Sequence, residues 1–242
     1  LDSMKYKPEI VSKINQKIKA GSNTKIGKNV KISNNANIGI DVFIDDNVVI
    51  YPGSYIGDGS SIGKNTIIYP NVVLYDHVTI GRDCKIDSGT TIGSDGFGLI
   101  NHKKTNISIP HVGNVIIGSN VSIGANCCID RGTINDTIIN DGCKLDNLIQ
   151  IGHNVILGEG CVLAAQVAIA GSTKLGNYVT VAGQTGIIDH LAIGDNTTIA
   201  AKSLVCNSLK KNSFVSGIPA NIHKDVLKQY AAIKKLPNFF KK

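Results

Sequence analysis

An aliphatic side chain returns at every sixth position of this sequence, and few folds tolerate such a rhythm. Twelve anchors run without a slip from Ile26, Ile32 and Ile38 through Leu74 to Ile92. Ile117, Ile123 and Ile129 follow after a break, and after a second break another twelve run from Ile139 through Ile151 and Ile169 to Val205. Two residues before each anchor stands a small or β-branched side chain, such as Val42, Ser54, Thr66, Val72, Cys84 and Thr90. Alternation along a strand puts that residue on the same inward face as the anchor. A period of six fits neither an amphipathic helix nor a hairpin meander. It fits a parallel β-helix, a prism in which each hexad takes one flat side.

Three hexads make a coil, so the 27 anchors predict about nine coils and a prism roughly 40 Å long. The expected fold is all-β, with two loop insertions and a short C-terminal α-helical segment. The expected boundaries are a lead-in at 1–20 with weak helical character, the β-helix at 21–215 and the helical extension at 216–242. The first insertion lies between Ile92 and Ile117 and opens with Ser94-Asp95-Gly96-Phe97-Gly98, followed by a polar stretch holding His102 and His111. The second adds four residues between Ile129 and Ile139. Insertions in a solenoid are where function concentrates. After Val205 the pattern ends; Ser216-Gly217-Ile218-Pro219 reads as a turn. Ile222 to Lys235 reads as a helix with Ile222, Val226, Tyr230 and Ile233 on one face.

Composition agrees. Ile is 37 and Val 19 against 13 Leu, which favours strands. Asn at 24 and Gly at 26 against 6 Pro supply turns. No apolar run reaches about 18 residues, so no membrane-spanning segment is expected. No signal peptide is expected either, because the segment ahead of Ile32 is Lys-studded without an apolar stretch. The net charge of +7 sits at the ends: residues 1–31 carry +6, 202–242 carry +8, and the middle −7. With 2 Arg against 23 Lys, the guanine-reading chemistry of nucleic-acid binders is missing, and no nucleic-acid partner is expected.

Four of the six cysteines, Cys84, Cys127, Cys143 and Cys161, occupy the small inward column and read as core fillers, while Cys128 and Cys206 lie off it. No C-x-x-C occurs, which points to no metal and to a reducing, cytoplasmic compartment. If the four extra residues after Ile129 bulge outward, counting by coils places Arg131 one coil above His153 and Gly171 one coil below. The next coil brings Asp189-His190. One edge then gathers Asp130-Arg131, His153, a glycine leaving room, and a second His. That is a candidate site with a potential base. Asp146 and Asn147 are polar candidates on a neighbouring corner.

These residues carry a resemblance. Gly93-Ser94-Asp95-Gly96-Phe97-Gly98, Ile129-Asp130-Arg131-Gly132, Asp146 to Val155 (DNLIQIGHNV), Ala170 to Gly176 (AGSTKLG) and Gly217-Ile218-Pro219 together resemble the UDP-3-O-acylglucosamine N-acyltransferases of lipid A biosynthesis. The resemblance implies a left-handed β-helix and a homotrimer with sites between neighbouring prisms. It implies transfer of an (R)-3-hydroxyacyl chain from acyl carrier protein to the 2-amine of a UDP-linked 3-O-acylglucosamine, in the cytoplasm and without a cofactor. His153 matches the general base and His190 a second active-site histidine. Asn147, Gln150 and Asn154 match residues around the acceptor and the pantetheine arm, and Asp130 and Arg131 join them as substrate-binding candidates. In that family a uridine-binding domain precedes the repeats. Here only a short segment stands ahead of the first anchor, Ile26, and no uracil-contacting residue is assigned.

The implied chemistry suits these residues. An amine attacking a thioester must lose a proton, which a histidine accepts, and the developing oxyanion needs a donor such as the Gly171 N–H opposite His153. Lys224, Lys228, Lys234 and Lys235 offer a positive surface to an acidic acyl carrier protein. A sister O-acyltransferase, a γ-type carbonic anhydrase and a non-catalytic β-helix are the alternatives. The first fits the Ser-Asp-Gly-Phe-Gly and Asp-Arg-Gly segments less well, the second would need three zinc-binding His, and the third a flat repetitive Thr face.

Overall fold

The computed structural model describes residues 20–239; the lead-in predicted at 1–20 falls almost wholly outside them. Within the described residues, two-residue strands stack into three parallel sheets around one narrow core, a left-handed parallel β-helix. The first face starts at Lys25–Ile26, the second at Lys31–Ile32 and the third at Asn37–Ile38. Each strand pairs with its counterpart one coil on, Lys25 with Phe43 and Ile32 with Ile50. The anchors fill the interior: Ile44, Ile56, Ile68, Leu74, Ile129 and Ile151 are fully buried. Each such side chain contributes about 1.5–3 kcal/mol relative to an exposed one, so the inward column sets the register.

The small column does a second job. Its hydroxyls donate to corner carbonyls, Ser54 Oγ to Tyr69 O at 2.9 Å, Thr66 Oγ1 to Gly81 O at 2.9 Å and Thr173 Oγ1 to Ile188 O at 2.8 Å. The four inward cysteines donate in the same way, Cys143 Sγ to Gly158 O at 3.1 Å and Cys161 Sγ to Gly176 O at 3.2 Å. Burial pushes the Cys84 and Cys127 thiols above their ordinary value, which keeps the proton they donate. Cys128 is exposed and Cys206 half-buried, as off-column positions should be.

Corners explain the asparagines. The residue three after most anchors is left-handed, as at Asn29 (φ 56°), Asn47 (59°), Asn65 (60°) and Asn154 (60°). Asparagine tolerates that region better than other side-chain-bearing residues. Stacked corners then bond to one another: Asn47 Nδ2 donates to Asn65 Oδ1 at 3.0 Å and Asn65 Nδ2 to Asp83 Oδ1 at 2.8 Å.

Both insertions leave the prism from the corner that follows the third face. The anchors keep their register across both, Thr91 pairing with Cys128 and Cys128 with Gln150, and the pairing shifts by one residue only between Ile92 and Ser94, where the first insertion departs. The first contains an antiparallel hairpin, Leu99–His102 with Thr105–Ser108, which the hexad count does not foresee. The C-terminal end also differs from the sequence reading. The core continues past Val205, because a coil shortened by two residues bridges Leu209 to Ile193 and pairs Val215 with Ile199. Ile222 is not helical: it pairs antiparallel with Val215, and the helix runs His223–Phe239. Of the predicted apolar face, Val226 is buried, while Tyr230 and Ile233 are exposed. No helix among the described residues is long and apolar enough to cross a membrane.

Candidate active site

Register arithmetic decides what meets at the loop-bearing corner. Ile129, Ile151, Ile169 and Ile187 pair in succession on the third face. The residues two beyond them, Arg131, His153, Gly171 and Asp189, therefore stack along one edge, with His190 beside Asp189. A groove of about 590 Å³ opens there, lined by Asp95 and Phe97 of the first insertion, Asp130, Gln150, His153, Gly171 and His190.

His153 is half-buried and held at one end. Asn154 follows it in the left-handed corner conformation, which brings the amide beside the ring. The Thr133 N–H donates to Asn154 Oδ1 at 3.0 Å, and Asn154 Nδ2 donates to Asn135 O, 2.6 Å away. These two bonds fix which end of the amide is oxygen. That oxygen lies 3.0 Å from His153 Nδ1 and can only accept, so Nδ1 carries the proton; Thr133 Oγ1 is 3.3 Å away. In the neutral ring Nε2 is then a bare lone pair. It stands beside Gly171, where a Cβ would come within 2.5 Å of it. The Gly171 N–H meets no acceptor among the described residues, whereas the equivalent corner N–H groups of Ile40 and Ala125 donate to Asp58 and Asn147 side chains.

The other predicted residues divide. Asp130 lies in the groove, accepting from Gln150 Nε2 at 3.0 Å and lying 3.4 Å from Ser94 Oγ. Burial raises its carboxyl above the ordinary range, while the Gln150 and Ser94 bonds and the nearby His153 and His111 rings pull it back. Gln150 is thus partly committed to Asp130. Arg131 shares the edge by backbone, but its Nη2 reaches two coils up to Asp76 O at 2.6 Å, and its side chain does not line the groove. Asn154 faces His153. His190 is exposed, with Nε2 3.9 Å from Asp189 Oδ2. Asn147 stands on the preceding corner, its Oδ1 capping the Ala125 N–H at 2.7 Å, and this chain does not bring it to the groove. Lys224, Lys228, Lys234 and Lys235 lie on the exposed helix, Lys228 Nζ 3.1 Å from Asp225 Oδ1.

One residue of the site escapes the sequence reading. His111 is buried, and its ring meets His153 edge to face with centroids 5.3 Å apart. Its only signal is the polar stretch of an aperiodic insertion. Gly96 lies over both rings, where a Cβ would come within 3.0 Å of each. Two further grooves of about 450 Å³ adjoin the first. One, lined by Thr133, Asn135, Ser172 and Lys174, shares His153 and His190 with it. The other runs down the third face past Ala168, Ala170, Gly186, Ile188 and Leu204 and is almost wholly apolar. No group of three His, Cys, Asp or Glu able to hold a metal ion occurs among the described residues.

The family profile of the bacterial transferase hexapeptide (six repeats) matches residues 59–94 and 136–171. Those two stretches carry the hexapeptide repeat that the profile describes. This hexapeptide-repeat chain is 47% identical over 76 residues to UDP-3-O-acylglucosamine N-acyltransferase 2 of Legionella pneumophila strain Philadelphia 1, a match covering 31% of this chain and 22% of that protein. It is 46% identical over 69 residues to UDP-3-O-acylglucosamine N-acyltransferase of Dechloromonas aromatica, covering 28% and 20%. The chain thus spans about a fifth of the length of the curated relatives it matches. Among solved structures, UDP-N-acetylglucosamine O-acyltransferase from Moraxella catarrhalis superposes with a TM-score of 0.74 at 27% identity, over 85% of this chain and 81% of that one. The Arabidopsis UDP-N-acetylglucosamine acyltransferase superposes at 0.75 with 21% identity, over 88% and 76%, a likeness of fold.

Proposed function

We infer that this chain is an acyltransferase of lipid A biosynthesis, and specifically that it moves an (R)-3-hydroxyacyl chain from acyl carrier protein to the 2-amine of UDP-3-O-acylglucosamine. The observation that carries the reading is the fixed tautomer of His153, a bare Nε2 in a groove beside a free N–H. The amine nitrogen attacks the thioester carbonyl carbon, the C–N bond forms and the C–S bond breaks. His153 Nε2 takes the proton the nitrogen loses and returns it to the departing sulfur. The Gly171 N–H is the donor available to the oxyanion. The apolar groove on the third face suits an acyl chain, and the polar one beside Lys174 suits a sugar or a pantetheine arm. Of the residues read from the sequence, His190, Gln150 and Asp130 line the groove and are placed to contact substrate, and Asn147 contributes only if a neighbouring prism presents it. A homotrimer would do that and would cover exposed Ile116, Ile134 and Ile188. Buried free thiols suit the cytoplasm.

The experiment is mass spectrometry of the product from purified chain, acyl carrier thioester and UDP-3-O-acylglucosamine, with sedimentation equilibrium on the same preparation. An alkali-stable amide and three chains per particle are expected. A newly formed alkali-labile ester would favour O-acylation, the reading that likeness to the Moraxella structure supports, and no transfer of the acyl chain to UDP-3-O-acylglucosamine would end the N-acyltransferase reading.

Docking of acyl carrier protein is assigned to the basic end of the chain. Lys224, Lys228 and Lys235 lie within about 40° of one another around the helix, with Lys234 at its flank. Reversing Lys224 and Lys228 to Glu should raise KM for the acyl carrier thioester at low salt and flatten its salt dependence. KM for a soluble pantetheine thioester should hardly change. Equal effects on both donors, or none, would return the helix to a solvated surface.

A further inference from the structure

We propose that His111 is a positioning residue for His153, an inference that rests on the acyl-transfer reading of the groove. His111 Nδ1 lies 2.9 Å from Ile109 O, and a carbonyl only accepts, so this ring too carries its proton on Nδ1. Its Nε2 is buried and finds no hydrogen-bond partner among the described residues. A buried acceptor without a donor opposes folding, and a histidine that merely filled space here would be outdone by a phenylalanine. What the ring does contribute is contact with His153, edge to face at 5.3 Å and 68° between planes.

Asn154 and Thr133 hold His153 by one atom, Nδ1. A single hinge of that kind leaves the ring free to swing about its Cα–Cβ and Cβ–Cγ bonds. The swing is blocked on one side by Gly96, so close that a Cβ there would come within 3.0 Å of His153 Cβ and Cδ2, and on the other by Gly171, where a Cβ would come within 2.5 Å of Nε2. His111 holds Gly96 in place, since Gly96 and Gly98 both pack against its ring, with Cβ positions 3.0 Å from Nε2 and from Cε1. The insertion is therefore seated on His111, and His153 is clamped between the insertion and the prism. Asp130 lies near both rings, and Asp95 and Asp189 line the same groove.

The test compares His111→Ala and His111→Phe with the parent chain. The alanine variant should lose about 10–100-fold in kcat with KM for both substrates within about twofold, since misplacing a reacting group by about 1 Å costs that order. Phenylalanine keeps the ring and drops both nitrogens, and should restore kcat to within a few-fold. A second readout needs no substrate. The ¹⁵N imidazole signals of His153 in the parent and the phenylalanine variant should report one tautomer with Nε2 bare, and in the alanine variant a mixture. Equal losses in both variants, or unchanged His153 signals in the alanine variant, would overturn the proposal. A parent chain that forms no acylated product while His153 still loses its single tautomer on His111→Ala would instead overturn the acyl-transfer reading and leave the clamp standing.

Discussion

His153→Ala lowers turnover by about 10²–10⁴, the span that general acid–base groups contribute. Its side chain is half-buried on a corner, outside the column of anchors that holds the coils together, so the fold should survive its loss. The removed ring presents a bare, fixed nitrogen to the groove, whereas Asp130 is engaged by Gln150, His190 is exposed to solvent and the bare nitrogen of His111 is buried. KM for the acyl carrier thioester should change little, since donor docking is assigned elsewhere. The residual rate should reflect positioning and the Gly171 N–H. Steady-state kinetics on the purified variant, with circular dichroism as the control for folding, decides it. Near-normal turnover in a folded variant would mean that another group takes the proton.

Where the sequence is periodic, it can be read almost to the atom. A period of six defines the inward column, and stepping coil by coil, with the second insertion allowed to bulge, brings Gly171 and His190 to His153 from the sequence alone. The reading weakens wherever periodicity stops. His111 lies in an insertion with no repeat to count from, so its contact with His153 depends on how a hairpin and two glycines fold back. Arg131 shows a different limit. Register places its backbone correctly, but side-chain direction depends on local acceptors, and the carbonyl of Asp76 draws the guanidinium away from the groove. At the C-terminal end, a coil two residues short hides Leu209 and Val215 from a strict count of six. Helical spacing likewise puts Ile222 on a helix, because a pattern of apolar residues carries no trace of the antiparallel pairing with Val215 that claims its backbone.

Gly171→Ala separates activity from stability without removing any functional group of the groove. The new methyl would lie 2.5 Å from His153 Nε2 and 2.7 Å from Cε1, closer than any real contact allows. Something must move, and it will not be the backbone: the Ser172 N–H bonds to His153 O at 2.8 Å and the His190 N–H to Gly171 O at 3.1 Å within the stacked coils. The far end of the His153 ring is the softer partner. Displacing it breaks the 3.0 Å contact with Asn154 Oδ1 or pushes the ring against Gly96 and His111, and either way Nε2 leaves its seat. Alanine retains the Gly171 N–H, so an oxyanion donor is still present and the loss reports the base alone. Turnover should fall about 10²-fold, as for a reacting group displaced by roughly 1 Å. The melting temperature should move by no more than a few degrees, because the methyl faces the groove and not the core. Kinetics and thermal denaturation on the same preparation provide both numbers. Turnover within threefold of the parent would show that chemistry in this groove does not depend on His153 Nε2 standing where Gly171 leaves room for it.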